Sequence, residues 1–307
     1  MKAPKICVVG AANLDLISYV PRLPRMGETL HGSRFHMGFG GKGANQAVMA
    51  AKLGARVTMI TKLGRDIFGE NTLKNFQSWG IDTRHVLFTE QAFSGVAPIA
   101  VDPDGHNAII IVTGANDLLS EQEIEAARPA IASAQILVCQ LEIPLNITMA
   151  AMRIARQEKV PTIFNPAPAR PELDAELYRL SDIFCPNESE TELLTGMRVR
   201  TPEEATAAAR VLLERGAGKV ILTLGENGSL LVTGKESLHV PAIPVKALDS
   251  TGAGDAYVGS LACFLAAGKP IAEAMRRANH IAAISVQSSG TQSSFPRSEE
   301  LPAELLS

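Results

Sequence analysis

Six short, almost uninterrupted apolar runs recur along the chain: KICVVG (5–10), ARVTMIT (55–61), QILVCQLE (135–142), VPTIFN (160–165), DIFCPN (182–187) and KVILTLG (219–225). A strand with one wet face alternates apolar and polar residues. A continuous apolar run marks a strand covered on both faces, as in a parallel sheet. Between these runs the spacing predicts helices at 43–53, 67–79, 120–131, 146–158, 187–195 and 202–215. Ser120 with Glu123, and Thr201-Pro202 with Glu204, carry N-cap chemistry with an acid at the third helical position. After Gly252 the pattern turns long and helical. Strand and helix in alternation predict an α/β fold, an open and mostly parallel sheet with helices on both faces. Hydrophobic residues make up 46% of the 307, enough to bury the core of a single domain over 1–307.

Two stretches break the rhythm. Residues 14–37 alternate polar and apolar with turn signals at Pro24 and Gly27, and residues 94–112 read as a hairpin turning at 102–105. Both are expected to be strands of a small antiparallel β lid projecting over a site. Exposed edges on such a lid invite pairing with a second copy.

The remaining composition narrows the function class. Net charge is −3 and no basic run occurs, which argues against a nucleic-acid partner or a polybasic membrane surface. No apolar stretch reaches 18 residues, and the first apolar run is too short for a signal peptide. Cys7, Cys139, Cys185 and Cys263 are far apart and form no CxxC pair; the first three fall inside apolar stretches and read as buried reduced thiols, which suits a cytoplasmic protein.

DSTGAGDAYVG (249–259) carries the strongest chemical signal. It reads as a strand end, a tight turn of small residues, then a helix. The first N–H groups of a helix lack internal partners and carry the positive end of its dipole, so Gly252, Ala253 and Gly254 form an expected anion hole. Asp255 in the first turn also reads as an ordinary favourable helix-start acid. Two glycines flanking an alanine before it suit a more particular role. They can hold a transferring phosphoryl group beside a carboxylate that accepts a proton from the attacking hydroxyl.

A second glycine loop, MGFGGKGAN (37–45), contains Gly38-x-Gly40-x-x-Gly43, formally a dinucleotide fingerprint. It arrives about thirty residues after the first strand, where that fingerprint belongs, and no ribose-binding acid closes the next strand. The glycines suit close backbone approach to a polyhydroxyl ligand, with Asn45 as a bidentate amide and Lys42 as a charge for phosphate. No P-loop motif occurs.

Together GGKGAN (40–45) and DSTGAGDA (249–256) resemble the two signatures of the PfkB-type carbohydrate kinases, the ribokinase family. NLD (13–15), Glu142, NPAPA (165–169), NESE (187–190), TLGENG (223–228) and GTQS (290–293) extend the resemblance along nearly the whole chain. The resemblance implies a ribokinase-like fold and ATP-dependent phosphorylation of the 5-hydroxyl of ribose, or of 2-deoxyribose. It makes Asp255 the base, with Asn13, Asp15, Gly41, Lys42, Asn45 and Glu142 holding the sugar. Asn187, Thr223, Gly225, Gly228, Gly254 and Asn279 would line the nucleotide site. Asn187 and Glu190 would order Mg²⁺ through water, and K⁺ would be held by Asp249, Thr251, Ser285, Ser288, Gly290 and Ser294. The resemblance, with the exposed lid edges, also implies a homodimer joined through the β lid. From the residues alone, Asn187 with Glu190 reads first as a helix capping box, and Asp249 as a turn cap. A nicotinamide-dependent enzyme and a silent sugar-binding protein stand as the competing classes.

Overall fold

The computed structural model describes residues 3–104 and 106–306. Its strands are β1 (Lys5–Val9), β2 (Asn13–Tyr19), β3 (Arg34–Gly40), β4 (Arg56–Gly64), β5 (Asp82–Thr89), β6 (Gly95–Val101), β7 (Asn107–Ile109), β8 (Ile136–Cys139), β9 (Thr162–Phe164), β10 (Ile183–Phe184), β11 (Val220–Thr223), β12 (Ser229–Val232) and β13 (Ser237–Val240). Nine of them form one sheet in the order β13-β12-β11-β10-β9-β8-β1-β4-β5. Every pair is parallel except β11–β12 and β12–β13. The continuous apolar runs have the predicted consequence. Ile6, Val8, Ile136 and Val138 enter one core, while Cys7, Val9, Leu137 and Cys139 enter a second core on the opposite face.

The helices cover both faces. On the first lie α1 (Lys42–Lys52), α2 (Ile67–Ser78), α9 (Ala253–Ala266) and α10 (Ile271–Ser285). The second is covered by α3 (Glu121–Ala126), α4 (Arg128–Ala132), α5 (Leu145–Gln157), α6 (Ala175–Leu180), α7 (Glu188–Thr195) and α8 (Pro202–Glu214). The predicted capping boxes at Ser120/Glu123 and Thr201/Glu204 are both present. The helix expected over 120–131 is broken into α3 and α4, because Pro129 has no N–H to give and its ring crowds the preceding turn. Strand β5, DTRHVLFT, lies at the sheet edge with mixed burial, so it lacks the apolar run by which its neighbours are read.

The other four strands form a separate sheet, β3-β2-β6-β7, from the two segments that break the rhythm. Pairs β2–β3 and β6–β7 are antiparallel, and β2–β6 is parallel. Gly105, the last residue of the turn expected at 102–105, lies outside the described residues.

One helix matters most for the site. In α9, 11 of 14 residues are buried, so it is apolar all round and packs between α1 and α10. A Cβ on Gly259 would lie 2.6 Å from Gln46 O, so only glycine lets α9 approach α1 this closely. That approach sets the first turn of α9 against the polar start of α1.

Candidate active site

Asn13 and Asp15 leave the end of β1 on strand β2. Directly opposite them stand Gly40 and Gly38 on β3, and Gly95 and Ala97 on β6. Residues opposite one another share a face of the sheet. Here three of the four have no side chain, which leaves that face open above the amide and the acid. A Cβ would come within 2.4 Å of Asp15 Oδ1 from Gly40, and within 2.2 Å of Asn13 Oδ1 from Gly95. Asn116, fully buried and without a signal in the sequence, orients Asn13: its Nδ2 donates to Asn13 Oδ1 at 2.9 Å. Asn13 Nδ2 has no hydrogen-bond partner among the described residues, so a donor is left for a ligand.

Strand β3 runs into α1 through Gly41, whose φ of 85° suits glycine and where a Cβ would strike Asn13 N at 2.7 Å. Gly38 and Gly40 are thus strand residues of the small sheet, not the turn of a dinucleotide fold. The Lys42 backbone N–H donates to Glu142 Oε2 at 2.7 Å. Burial by itself would lower the Lys42 ammonium, but Asp255, Glu142 and Glu190 outweigh it and raise its pKa. Burial raises the Glu142 carboxyl against the pull of Lys42. Asp15 is pushed up to about 7, by burial first and then by Glu142 and Asp255. Three carboxylates, Asp255, Glu142 and Glu190, thus act on one ammonium, and Asp15 adds a fourth acid beside two of them, a setting suited to hydroxyl donors and cations.

Asp255 is buried, and it faces this cluster rather than solvent. Its Oδ2 accepts from Asn45 Nδ2 at 2.9 Å and its Oδ1 from Gln46 Nε2 at 2.9 Å. A carboxylate has about four lone-pair directions, so room remains for a further proton. The helix start is Gly252, with φ 78°. The expectation of three open amides is corrected at one position: the Ala253 N–H is engaged by Ser250 O at 3.2 Å. Among the described residues the N–H groups of Gly252, Gly254 and Asp255 find no acceptor.

Beyond this turn opens a cleft of about 930 Å³. Asn187, Thr223, Gly225, Gly228, Gly254 and Asn279, the six residues expected at the nucleotide, all line it. Asn279 donates its amide to Val240 O at 2.8 Å and Pro241 O at 3.3 Å, so it secures the wall. The apolar lining carries no motif in the sequence. Ile243 and Val245 from an irregular segment face Ala282, Ala283 and Val286 of the α10 end.

The capping reading of Asn187 and Glu190 is met, since each side chain accepts the other's backbone N–H, at 2.7 and 2.8 Å. Glu190 nevertheless also feels Lys42 and Asp255. Asp249 caps its turn, accepting from Thr251 N at 2.9 Å, and also accepts from Gly290 N at 2.8 Å. It therefore staples the 249–252 turn to the loop after α10. The carbonyls of Thr251, Ser288 and Gly290 accept no hydrogen bond among the described residues, whereas Ser285 O takes the Ser288 N–H at 3.3 Å. All four cysteines are free and buried, and burial pushes the thiols up, Cys7 and Cys263 to about 12.

Comparison with known proteins bears on this geometry. The sequence pattern of the pfkB family carbohydrate kinase matches residues 3–298. A ribokinase of Mus musculus is 46% identical, over 99% of this chain and 95% of the relative. A deoxyribokinase of Salmonella typhi is 44% identical over 96% of each. The structure of Arabidopsis thaliana ribokinase complexed with ribose and ATP matches with a TM-score of 0.91 at 32% identity, over 99% of both chains.

Proposed function

The chain belongs to the pfkB family of carbohydrate kinases, phosphotransferases acting on a sugar hydroxyl, and on that premise we propose that it transfers the γ-phosphoryl group of ATP to the 5-hydroxyl of D-ribose. One observation carries the reading. Asp255 stands buried in the first turn of α9, beside helix-start amides that have no acceptor, between a nucleotide-sized cleft and an open pocket of amides and carboxylates.

The chemistry follows from the placement. Asn13, Asp15, Gly41, Lys42, Asn45 and Glu142 bind the sugar hydroxyls, and Asp255 takes the proton of the attacking one. The alcohol oxygen forms a bond to the γ-phosphorus as the bond to the ADP oxygen breaks. The N–H groups of Gly252, Gly254 and Asp255, with the Lys42 ammonium, face the negative charge on the moving group. The cleft would take ATP, with Ile243, Val245 and Val286 offering apolar surface to its base.

Two ions belong to the same reading. Glu190, with one carboxylate oxygen outside the capping box, and Asn187 on the cleft wall would hold Mg²⁺ through water, as hard oxygen groups suit that ion. Asp249 and Ser294, with the carbonyls of Thr251, Ser285, Ser288 and Gly290, would hold K⁺ with oxygen ligands alone, drawn from two segments that Asp249 ties together. Three of those carbonyls lack donors, as a K⁺ site requires. When bound, such ions neutralise phosphate charge and stiffen the turn.

2-Deoxyribose is the runner-up substrate, favoured by the Salmonella relative. The free donor of Asn13 favours ribose, because a site built to pair a hydroxyl discriminates against a sugar lacking it. A coupled assay of ribose, 2-deoxyribose, fructose and nucleosides, with and without K⁺, tests the reading. Ribose is expected to give the highest kcat/KM, and turnover of none of these sugars would end the proposal.

A homodimer through the small sheet is part of the proposal. Phe35, Met37, Ile109, Ile110 and Ile111 are half or more exposed there, a concentration of apolar surface that a second copy would cover. Light scattering should give twice the mass of one chain, and a single-chain mass would refute it. The buried free cysteines support a reducing, cytoplasmic setting. Among the described residues no helix is long and apolar enough to cross a membrane.

A further inference from the structure

Asp255 receives hydrogen bonds from two buried amides, and one of them, Gln46, has no part in the chemistry above. Gln46 is fully buried on α1. Its Nε2 donates to Asp255 Oδ1 at 2.9 Å and to Asn165 Oδ1 at 3.2 Å, and its Oε1 accepts from Gln140 Nε2 at 2.6 Å. Each amide in this group has its direction dictated. Asn165 Nδ2 is held by Cys185 O at 2.9 Å, so Asn165 turns its oxygen to Gln46. Gln140 meets Gln46 with its N–H. A Gln46 amide turned over would set its oxygen against two other oxygens.

The arrangement is poorly suited to folding alone. Gln140, also fully buried, leaves its own Oε1 without a donor. That oxygen packs on Gly10, where a Cβ would come within 2.1 Å. A buried orphan acceptor is destabilising, and an apolar residue of that size would avoid it. Gln140 and Asn165 stand just past the carboxyl ends of the adjacent parallel strands β8 and β9, the edge at which α/β sheets bind ligands. Three amides from three elements thus converge, through Gln46, on one carboxylate.

We propose that Gln46, held in register by Gln140 and Asn165, is a positioning residue that sets the rotation of the Asp255 carboxylate toward the acceptor hydroxyl. The proposal rests on the reading of Asp255 as the base. The charged groups facing Asp255 from the elements around it are Lys42, Asp15, Glu142 and Glu190. All four remain in the variants below, so a difference reports the amide.

The test is the pH profile of ribose phosphorylation by the full chain, as wild type, Gln46→Leu, Gln46→Glu, Gln140→Met and Asp255→Asn, with ribose binding followed by calorimetry. Gln46→Leu should lower kcat about tenfold or more, the scale of a hydrogen bond to an ionised group. KM for ribose should stay within about twofold, and the acidic limb of kcat/KM should move up by roughly one pH unit, because a donor to the ionised form is gone. Gln46→Glu should move the limb further, since it sets a second carboxyl beside the first. Gln140→Met, which touches neither sugar nor Asp255, should act in the same direction more weakly. If the Gln46 variants bind ribose with kcat within about twofold of wild type and an unmoved limb, the proposal is overturned. If they do not bind ribose, Gln140→Met decides, and a wild-type profile for it overturns the proposal equally. Near-native turnover by Asp255→Asn would instead remove the base assignment, and this inference with it.

Discussion

Replacing Asp15 by asparagine should stabilise the protein while damaging its function, and the gain should grow with pH. The Asp15 carboxyl is raised from 3.8 to about 7, first by burial and then by Glu142 and Asp255. A carboxyl whose folded pKa is raised binds its proton more tightly folded than unfolded. Below 3.8 it is neutral in both states and makes no difference. Between 3.8 and about 7 the unfolded chain ionises first, so the folded state loses ground as pH rises. Above about 7 both are ionised and the full penalty stands. About three units at ~1.4 kcal/mol each set a ceiling of ~4 kcal/mol, which falls to ~1.6 kcal/mol at about pH 5. Water entering the open face over β2 screens part of this, so a gain of about 1–3 kcal/mol is expected at about pH 8. Asparagine keeps the shape and removes the charge. The assay is thermal unfolding of both proteins from about pH 5 to 8, with ribose titrated at each pH. The variant should melt a few degrees higher at the alkaline end, with the gap narrowing toward acid, and should bind ribose poorly. A gap independent of pH, or a variant less stable throughout, would refute the claim that burial and neighbouring acids raise the Asp15 carboxyl.

Further outcomes follow from single contacts. Asp255→Asn should lower kcat by about a thousandfold or more while ribose affinity, by calorimetry, stays within severalfold. Gly43→Ala would put a methyl 2.7 Å from the Gly10 backbone, and denaturant melts should show a loss of about 1–3 kcal/mol. Asp249→Ala removes the staple to Gly290, so kcat should fall and the proposed stimulation of turnover by K⁺ should be absent, read by titrating KCl at constant ionic strength.

Much of this molecule is local in origin and therefore legible in the chain. Continuous apolar runs specify strands with two covered faces, and the split of Ile6 and Val8 from Cys7 and Val9 between two cores is their direct outcome. The small-residue turn before Asp255 and the glycine entry to α1 follow from steric rules that act over a few residues. The six residues that the family resemblance assigns to a nucleotide line one cleft. What tertiary structure alone decided is which side chains meet across long separations. Gln46 and Asp255 are 209 residues apart, Asn116 and Asn13 103, and Gly290 and Asp249 41. No periodicity links such pairs. They are created when α9 closes on α1 at Gly259 and when the small sheet folds over the ends of the large one. The same packing removes water from Asp15 and gathers acids around it. A carboxylate's proton affinity is a property of its surroundings, and those exist only once the chain has folded.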